Sequence, residues 1–272
     1  MKFISLASSS RGNAAFISYN DTNILVDCGI SRKRIIEGLS HFGKTIDDID
    51  CILISHSHSD HISGLPMVLK YNDIKVLSQR DTLEEIARYI KQNNISPNLN
   101  NFKIVRPVNV QNEETYLKIK DINVFPLKGC HDVSSLYYKF QLGDVKIAIL
   151  TDMGAFNQNV LRSLEDVNYL MLECNYDNNL LLENEKYSAA LKNRISGSGG
   201  HLSNVDCCNI IMEIANKNLK QVYLSHISDE NNSEDYAYEF VNKYLKDNYH
   251  GANDLPEIKV SKRLEITEII NN

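Results

Sequence analysis

The pattern of apolar and polar residues predicts strands in several parts of this chain. Residues 1–7 and 22–26 are each predicted to form a strand, and residues 258–269 alternate between apolar and polar positions in the manner of one closing strand. Apolar positions at helical spacing predict helices over residues 65–71 and about 82–93. The repeated mixture of strands and helices favours an α/β protein.

Five of the predicted strands end beside residues of the types that bind metal ions. These residues are Asp27, His56, His131, Asp152 and His226. Side chains at successive strand ends converge at one rim of a layered sheet, where sites are commonly built on a rigid scaffold. We therefore expect them to meet in space although they are far apart in the chain.

The densest group of such residues is Ser55-His56-Ser57-His58-Ser59-Asp60-His61. Imidazole and carboxylate ligands suit zinc, manganese or iron, whereas closed structural zinc sites more often use thiolates. The apolar run Cys51–Ile54 predicts a buried strand before the group, and Ser63-Gly64-Leu65-Pro66 predicts the start of a helix after it. Ligands fixed between a strand and a helix favour a catalytic metal site over a polar, histidine-rich loop that binds metal weakly.

The spacing of these residues is suited to two divalent ions. The candidate ligands are His56, His58, Asp60, His61, His131, Asp152 and His226. The first two histidines could hold one ion with His131, the next Asp-His pair a second ion with His226, and Asp152 could bridge the two. Two ions about 3.5–4 Å apart would turn a bridging water into a hydroxide near neutral pH, which predicts hydrolysis of an anionic or carbonyl substrate. Taken singly, each of these residues could equally be a locally hydrogen-bonded strand-end residue.

Asp27 differs from the other strand-end residues because no ligand position requires it. It fits a residue that accepts a hydrogen bond from a ligand histidine and fixes its tautomer. The alternative is an aspartate that stabilises the turn beside Gly29.

Composition narrows the setting in which such a site would work. The 272 residues are 43% hydrophobic, which allows a large core in one domain or in two tightly merged halves. A net charge of −6 and the lack of any basic run disfavour broad electrostatic adhesion to nucleic acid. Two divalent ions would nevertheless add positive charge locally.

The sequence also bears on where the protein works. The N-terminus runs directly into a strand pattern without a signal peptide, and no apolar run reaches the ~18 residues of a membrane span. We therefore expect a cytoplasmic protein with no membrane partner. The six cysteines form no CxxC pair and are predicted to be buried, reduced thiols. Cys28 and Cys130 adjoin site candidates, but thiolate ligands are less favoured than the oxygen and nitrogen donors nearby.

In this order along the chain, Asp27, the His56–His61 group, His131, Asp152 and His226 resemble the five motifs of the metallo-β-lactamase superfamily. The resemblance covers nearly the whole chain and implies an α/β fold, a four-layer αββα sandwich with a two-metal site at one edge. Members of this superfamily cleave lactams, thioesters, lactones, phosphodiesters and nucleic acids, so the motifs do not define the substrate.

Three further stretches are similar to the YycJ-type subgroup, which resembles the nuclease branch and is associated with exonuclease activity on DNA. They are Leu6–Asn13, Glu173–Asp177, and Gly200–Asn204 followed by Leu224–Asn232. We expect a single domain over residues 1–272, because the chain lacks room for the inserted β-CASP-type domain of longer nucleases such as ribonuclease J.

The resemblance also implies roles for residues outside the metal ligands. His201 is placed to protonate a leaving alkoxide, which contributes about 10²–10⁴-fold in rate. Glu173 would orient it, unless Glu173 is simply a solvent-facing carboxylate.

A loop of small residues between the first two strands offers hydroxyl and backbone N–H groups to a phosphate, unless it is an ordinary hairpin connection. The candidate substrate-binding residues are Ser8, Ser9, Ser10, Asn13 and Arg194. Arg194 would act as a phosphate contact, or it is a solvated helix residue. Tyr137 or Tyr138 could stack on a base, although one of them should face the core.

The sequence thus predicts a cytoplasmic hydrolase with two divalent metal ions, zinc or manganese and with iron also compatible. We expect a phosphodiesterase or nuclease, an exonuclease on DNA in which a metal-bridging hydroxide attacks phosphorus. Its partner would be nucleic acid, DNA in preference to RNA, or a small phosphodiester, and the sequence indicates no protein partner. The alternatives are a carboxylic ester or thioester hydrolase of glyoxalase II or lactonase type, and a non-catalytic ligand-binding module.

Overall fold

A computed structural model describes residues 1–96, 98–108 and 116–271. Its strands are β1 (Lys2–Ser9), β2 (Gly12–Tyr19), β3 (Thr22–Val26), β4 (Cys51–Leu53), β5 (Lys75–Ser78), β6 (Phe102–Ile104), β7 (Leu117–Ile119), β8 (Ile122–Lys128), β9 (Leu136–Leu142), β10 (Val145–Leu150), β11 (Tyr169–Glu173), β12 (Gln221–Ser225), β13 (Glu257–Val260) and β14 (Thr267–Asn271). Its α-helices are α1 (Arg32–Ser40), α2 (Ser59–Ile62), α3 (Leu65–Tyr71), α4 (Arg80–Gln92), α5 (Gln158–Leu164), α6 (Asn178–Glu183), α7 (Ala189–Ser196), α8 (Asn204–Ile214) and α9 (Glu234–Asn248).

Within the described residues the strands form two seven-stranded sheets. The first has the order β14-β1-β2-β3-β4-β5-β6, antiparallel from β14 to β3 and parallel from β3 to β6. The second has the order β13-β12-β11-β10-β9-β8-β7, parallel from β13 to β10 and antiparallel from β10 to β7. Each sheet therefore carries a parallel half, whose strands end at a common edge.

Three apolar clusters hold these layers together. A central cluster joins inward-facing residues of the two sheets, such as Ile24 and Phe140. A second cluster packs α1, α3 and α4 on the outer face of the first sheet, and a third packs α5, α8 and α9 on the second. Burial of both faces of each sheet confirms the predicted four-layer αββα sandwich.

The predicted closing strand over residues 258–269 was wrong. The chain leaves the second sheet after β13 and joins the first sheet as β14 beside β1. The segment between β13 and β14 contacts β1: the Ser261 hydroxyl donates to Ser5 Oγ at 2.8 Å, and Ser8 N donates to Arg263 O at 3.2 Å. Alternation along a sequence cannot distinguish one long strand from two short strands that pair with different sheets.

The prediction that Tyr137 or Tyr138 stacks on a base was also wrong. Both side chains are buried, in the third and the central apolar cluster respectively. The Tyr138 hydroxyl donates to Ile54 O at 2.8 Å, and the Tyr137 hydroxyl accepts from Cys130 N at 2.9 Å. Neither ring is accessible to a nucleic acid.

The six cysteines are free, and five of them are buried as predicted, whereas Cys130 is only half-buried. None belongs to the groups of side chains that could hold a metal ion in the described part of the chain. No helix in the described ranges has both the length and the apolar character needed to cross a membrane.

Candidate metal centre

A histidine trio lies where the carboxyl end of β4 meets the turn after β8. The ring nitrogens of His56, His58 and His131 lie within 4.8 Å of one another. His58 Nδ1 is 3.1 Å from His56 Nε2 and 3.2 Å from His131 Nε2. Burial and the neighbouring His61 lower the pKa of His56, and burial lowers the pKa of His58. Both are therefore held as neutral imidazoles, the form that binds a metal ion.

A second group combines two carboxylates with two histidines, Asp60, His61, Asp152 and His226. Asp60 Oδ2 lies 3.5 Å from both His61 Nε2 and His226 Nε2. Asp152 Oδ2 lies 2.9 Å from His61 Nε2, but its geometry is not that of a hydrogen bond. Asp152 Oδ1 lies 3.8 Å from His131 Nε2, so this carboxylate stands between the two groups.

Two buried atoms of this second group have no hydrogen-bond partner among the described residues, namely Asp152 Oδ2 and His226 Nε2. A buried polar atom without a partner costs roughly 1–3 kcal/mol, so such atoms point to a missing ligand. The two groups together are consistent with a dinuclear metal site.

The charge in this region also favours a cation. Burial alone would lower the pKa of His61, yet Asp27, Asp152 and Asp60 outweigh it and raise that pKa well above its usual value. His226 shows the same balance: burial alone would lower its pKa, but Asp152, Asp60 and Glu173 outweigh burial and raise it. A divalent ion would satisfy the same carboxylates.

Asp27 and Ser55 orient two of the histidines from behind. Asp27 Oδ2 lies 2.8 Å from His61 Nδ1, and Asp27 Oδ1 accepts from Ser55 N at 2.8 Å. The Ser55 hydroxyl lies 3.0 Å from His56 Nδ1 and 3.1 Å from His61 Nδ1. Because both Nδ1 atoms are occupied by this network, both Nε2 atoms face the site, as the predicted role of Asp27 requires.

Glu173 plays a similar part on the opposite side. Its Oε1 lies 2.9 Å from His201 Nδ1 and 2.7 Å from His226 Nδ1. Its Oε2 accepts from Met153 N at 2.6 Å and Leu202 N at 3.2 Å. Glu173 is fully buried, which excludes the alternative of a solvent-facing carboxylate.

His201 also belongs to a third group, with Asp152, Glu173 and His226, whose ligand atoms lie close enough together to hold an ion. His201 thus lies at the edge of the histidine and carboxylate groups, where its Nδ1 is joined to Glu173.

The backbone at three of the strand ends is left-handed. Asp27, Asp152 and His226 have φ values of +61°, +57° and +51°. Such conformations cost on the order of 1–3 kcal/mol for residues other than glycine and cluster at functional sites. Asp27 N donates to Leu53 O at 2.8 Å and His226 N to Ser8 Oγ at 3.0 Å, so neighbouring strands hold these turns in place.

A cavity of about 240 Å³ opens over both groups. Its lining includes metal-type residues from both groups, His58, Asp60, His131, Asp152 and His226, together with His201, Ser10, Leu191, Arg194 and Ile195. The candidate site therefore opens to solvent at the edge where the parallel halves of the two sheets end.

The serine-rich segment is a tight hairpin in which only residues 10 and 11 lie between β1 and β2. Ser8 and Ser9 are buried, and the Ser8 hydroxyl accepts from His226 N. Asn13 is also buried, with its Nδ2 3.2 Å from Asp60 Oδ2 and 3.0 Å from His61 Nε2. Of the four candidates in this segment, Ser10 is the residue whose side chain is exposed at the cavity.

A family model described as "Beta-lactamase superfamily domain" matches residues 22–227. The chain belongs to the metallo-β-lactamase superfamily. Human tRNase Z, short form, shares this metallo-β-lactamase fold with a TM-score of 0.68 at 14% identity, over 100% of both chains.

Two relatives within the metallo-β-lactamase superfamily match most of the chain. One is exodeoxyribonuclease YycJ of Bacillus anthracis, 28% identical over 259 residues, which cover 95% of this chain and 94% of the relative. The other is exodeoxyribonuclease WalJ of Streptococcus pneumoniae serotype 2, 28% identical over 243 residues, or 87% of this chain and 85% of the relative. The resemblance to the YycJ-type subgroup is therefore confirmed.

The metallo-β-lactamase motifs did not point to Asp132, which the structure places against the histidine trio. Asp132 Oδ1 lies 3.3 Å from His58 Nε2 and 3.4 Å from His131 Nε2. Arg194 donates to Asp132 Oδ2 from Nε at 3.0 Å and from Nη2 at 2.5 Å. Arg194, predicted to contact phosphate, is thus joined to a carboxylate at the rim of the cavity. The position of Asp132 next to His131 in the sequence was the available signal.

Residues at the start of α4 were missed as well. Gln79 Nε2 donates to Ser135 O at 2.9 Å, and the Thr82 hydroxyl donates to Ser134 O at 3.1 Å. Ser57, between two of the histidines, hydrogen-bonds to Glu85 on the same helix. These contacts join the two segments that carry the histidine trio, and no local sequence pattern indicates them.

Proposed function

We propose that this protein is a dinuclear-metal phosphodiesterase that acts on DNA as an exonuclease. The observation that carries the proposal is the position of His201, which faces the same cavity as both metal-binding groups and is held there by buried Glu173. A hydrolase that depended on its metal ions alone would not require an oriented proton donor beside them.

The proposal assigns His56, His58 and His131 to one ion and Asp60, His61 and His226 to the other, with Asp152 between them. The two buried atoms without partners, Asp152 Oδ2 and His226 Nε2, support this assignment. Nitrogen and carboxylate donors without thiolates fit zinc, manganese or iron in a catalytic site. What such a pair supplies when bound is an activated water and charge neutralisation at the phosphate oxygens.

His201 is proposed to protonate the departing oxygen. Burial alone would lower its pKa, but the charge and hydrogen bond of Glu173 outweigh burial and raise it. The raised pKa favours the protonated ring, and the bond from Nδ1 to Glu173 leaves Nε2 to donate. Proton donation of this kind contributes about 10²–10⁴-fold in rate.

Contacts to the phosphate are proposed for Ser10 and Arg194, which both line the cavity. Ser8, Ser9 and Asn13 would act by supporting the hairpin, since their side chains are buried. Arg194 would reach a phosphate only by sharing or leaving its bond to Asp132.

DNA is the proposed substrate because the relatives that match most of the chain are named exodeoxyribonucleases. The net charge of −6 fits a protein that binds a few phosphates at a strand end rather than many phosphates along a duplex. A cytoplasmic location stays a prediction, supported by the free cysteines.

The decisive experiment measures metal content together with hydrolysis of single-stranded and double-stranded oligonucleotides labelled at either end. We expect two ions per chain and release of nucleotides from an end, while a closed circular DNA stays intact. Asp60→Ala and Asp152→Ala should lose turnover and bound metal, and Asp144→Ala, in the exposed turn between β9 and β10, should keep both. Hydrolysis of thioesters without cleavage of any DNA end would reject the proposal in favour of the ester hydrolase.

A further inference from the structure

Helix α7 forms one wall of the cavity and is unusual among the helices of this fold. The structure gives it no buried residue, although it contains apolar side chains. Leu191 and Ile195 are half-buried, and neither belongs to the apolar core clusters of the described residues. Both line the cavity instead.

The two side chains lie one helical turn apart and therefore share a face of α7. They are the aliphatic side chains of a cavity whose other lining groups are imidazoles, carboxylates, glycines, a serine and an arginine. The polar side suits a phosphate and its ions, whereas the α7 side suits an uncharged, apolar part of the same ligand.

The position of this wall relative to His201 is closely defined. His201 N donates to Ile195 O at 2.8 Å, and His131 Nδ1 lies 3.0 Å from Gly200 O. A Cβ on Gly200 would lie 2.0 Å from Ile195 O, so a residue with a side chain would force the end of α7 away. The wall therefore lies directly beside the proposed proton donor and one of the proposed ligands.

The cavity has a volume of about 240 Å³ and is open to solvent. It can therefore hold a phosphate and part of one nucleoside while the remaining chain stays in solvent.

We infer that Leu191 and Ile195 form a subsite for the nucleoside at the end of the DNA strand, packing against its base and sugar while the phosphate faces the metal-binding groups. This inference rests on the proposed function, because it names the part of that substrate which α7 recognises.

The test compares ligands that add one part of a nucleotide at a time. Binding of inorganic phosphate, deoxyribose 5-phosphate, and thymidine 5′- and 3′-monophosphate to the metal-loaded protein is measured by calorimetry. We expect the better thymidine monophosphate to bind about tenfold more tightly than the sugar phosphate, because apolar contacts of this size discriminate by that order. If the unmodified protein binds deoxyribose 5-phosphate and both thymidine monophosphates with equal affinity, the inference is overturned without the need for any variant.

The variant L191A/I195A should lose this preference and keep its affinity for inorganic phosphate. Leu182→Ala removes an exposed leucine of α6 that does not line the cavity, and it should keep the preference. A preference that survives in L191A/I195A would overturn the inference. Should the double variant fail to fold, Leu191→Ala alone and Ile195→Val should each reduce the preference, and an unchanged preference in both would overturn it.

The two proposals fail in different ways. DNA-end hydrolysis together with equal binding of deoxyribose 5-phosphate and thymidine monophosphate rejects the subsite alone. Hydrolysis of thioesters without cleavage of any DNA end rejects the proposed function and the subsite together.

Discussion

Glu173 accepts a hydrogen bond from His201 Nδ1 at 2.9 Å, and the same carboxylate oxygen lies 2.7 Å from His226 Nδ1. One buried carboxylate thus orients both the proposed proton donor and a proposed metal ligand. If both proposed roles hold, the shared oxygen couples proton transfer to metal binding.

Glu173→Gln should therefore weaken both functions. A glutamine keeps the size of the side chain but loses its charge and cannot accept from both histidines in the same manner. We expect metal affinity and kcat each to fall about 10–100-fold. Metal titration and steady-state kinetics measure the two effects, with Glu183→Gln at the exposed end of α6 as the matched control. A variant that loses rate but binds metal normally would show that His226 does not depend on Glu173.

His201→Ala should lose rate and keep both metal ions. We expect kcat on DNA to fall about 10²–10⁴-fold, because the departing oxygen no longer receives a proton. For a p-nitrophenyl phosphodiester the loss should be smaller, since that leaving group departs without protonation. Elemental analysis gives the metal content, and His250→Ala, an exposed histidine, serves as the control. Loss of metal from His201→Ala would instead identify His201 as a ligand, because its ring also lies close to Asp152, Glu173 and His226 in the third group.

Asp27→Asn tests the network behind the first histidines. Asparagine tolerates the left-handed backbone that Asp27 adopts at φ +61°, so this substitution removes the charge without adding backbone strain. We expect the metal affinity to fall about 10–100-fold, because His61 loses the carboxylate that fixes its Nδ1. Competition with a chelator measures the affinity, and Asp21→Asn in the exposed turn before β3 should leave it unchanged. An unaltered affinity in Asp27→Asn would mean that Ser55 alone orients the ring.

Asp166→Asn should reduce stability in a pH-dependent manner. Partial burial alone would raise the pKa of Asp166, but hydrogen bonds and charge from Lys139 and Lys146 outweigh it and lower the pKa. A carboxyl whose pKa is lower in the folded state stabilises above its unfolded pKa of about 4, and this stabilisation is lost as the pH falls through the folded value. Because the Asp166 side chain is 36% exposed and partly screened by water, we expect a loss of about 1 kcal/mol at pH 7.

Urea unfolding at pH 7 and at decreasing pH measures this difference in the free energy of unfolding. The gap between Asp166→Asn and the unmodified protein should narrow as the pH falls below about 4. Asp144→Asn, in the exposed hairpin turn, should show no such gap at any pH. A constant gap across the range would assign the effect to packing rather than to charge.

Local patterns accounted for most of the strands and for the residues at their ends. The strand-like residues over 1–7 and 22–26 predicted β1 and β3. The closing strand failed, since alternation reports burial and not the identity of the pairing strand. The very short helices α2 and α6 also escaped prediction, because four to six residues contain too little of a helical period. The single domain without an insertion stays a prediction.

In the site, the spacing of His56, His58, Asp60 and His61 already specified metal-type chemistry, because these donors come from one strand end and the turn after it. The strand-end positions of His131, Asp152 and His226 gave the expectation that they converge, and the chain order of the motifs added the superfamily. Contacts between distant segments were beyond the reach of any such pattern. Glu173 serving two histidines, Asp132 joining Arg194, and the aliphatic wall of α7 all depend on how the two sheets and their covering helices pack. The reason is physical: a one-dimensional sequence encodes the donors and the local turns, whereas burial, shared hydrogen bonds and cavity shape exist only once segments tens or hundreds of residues apart are brought into contact.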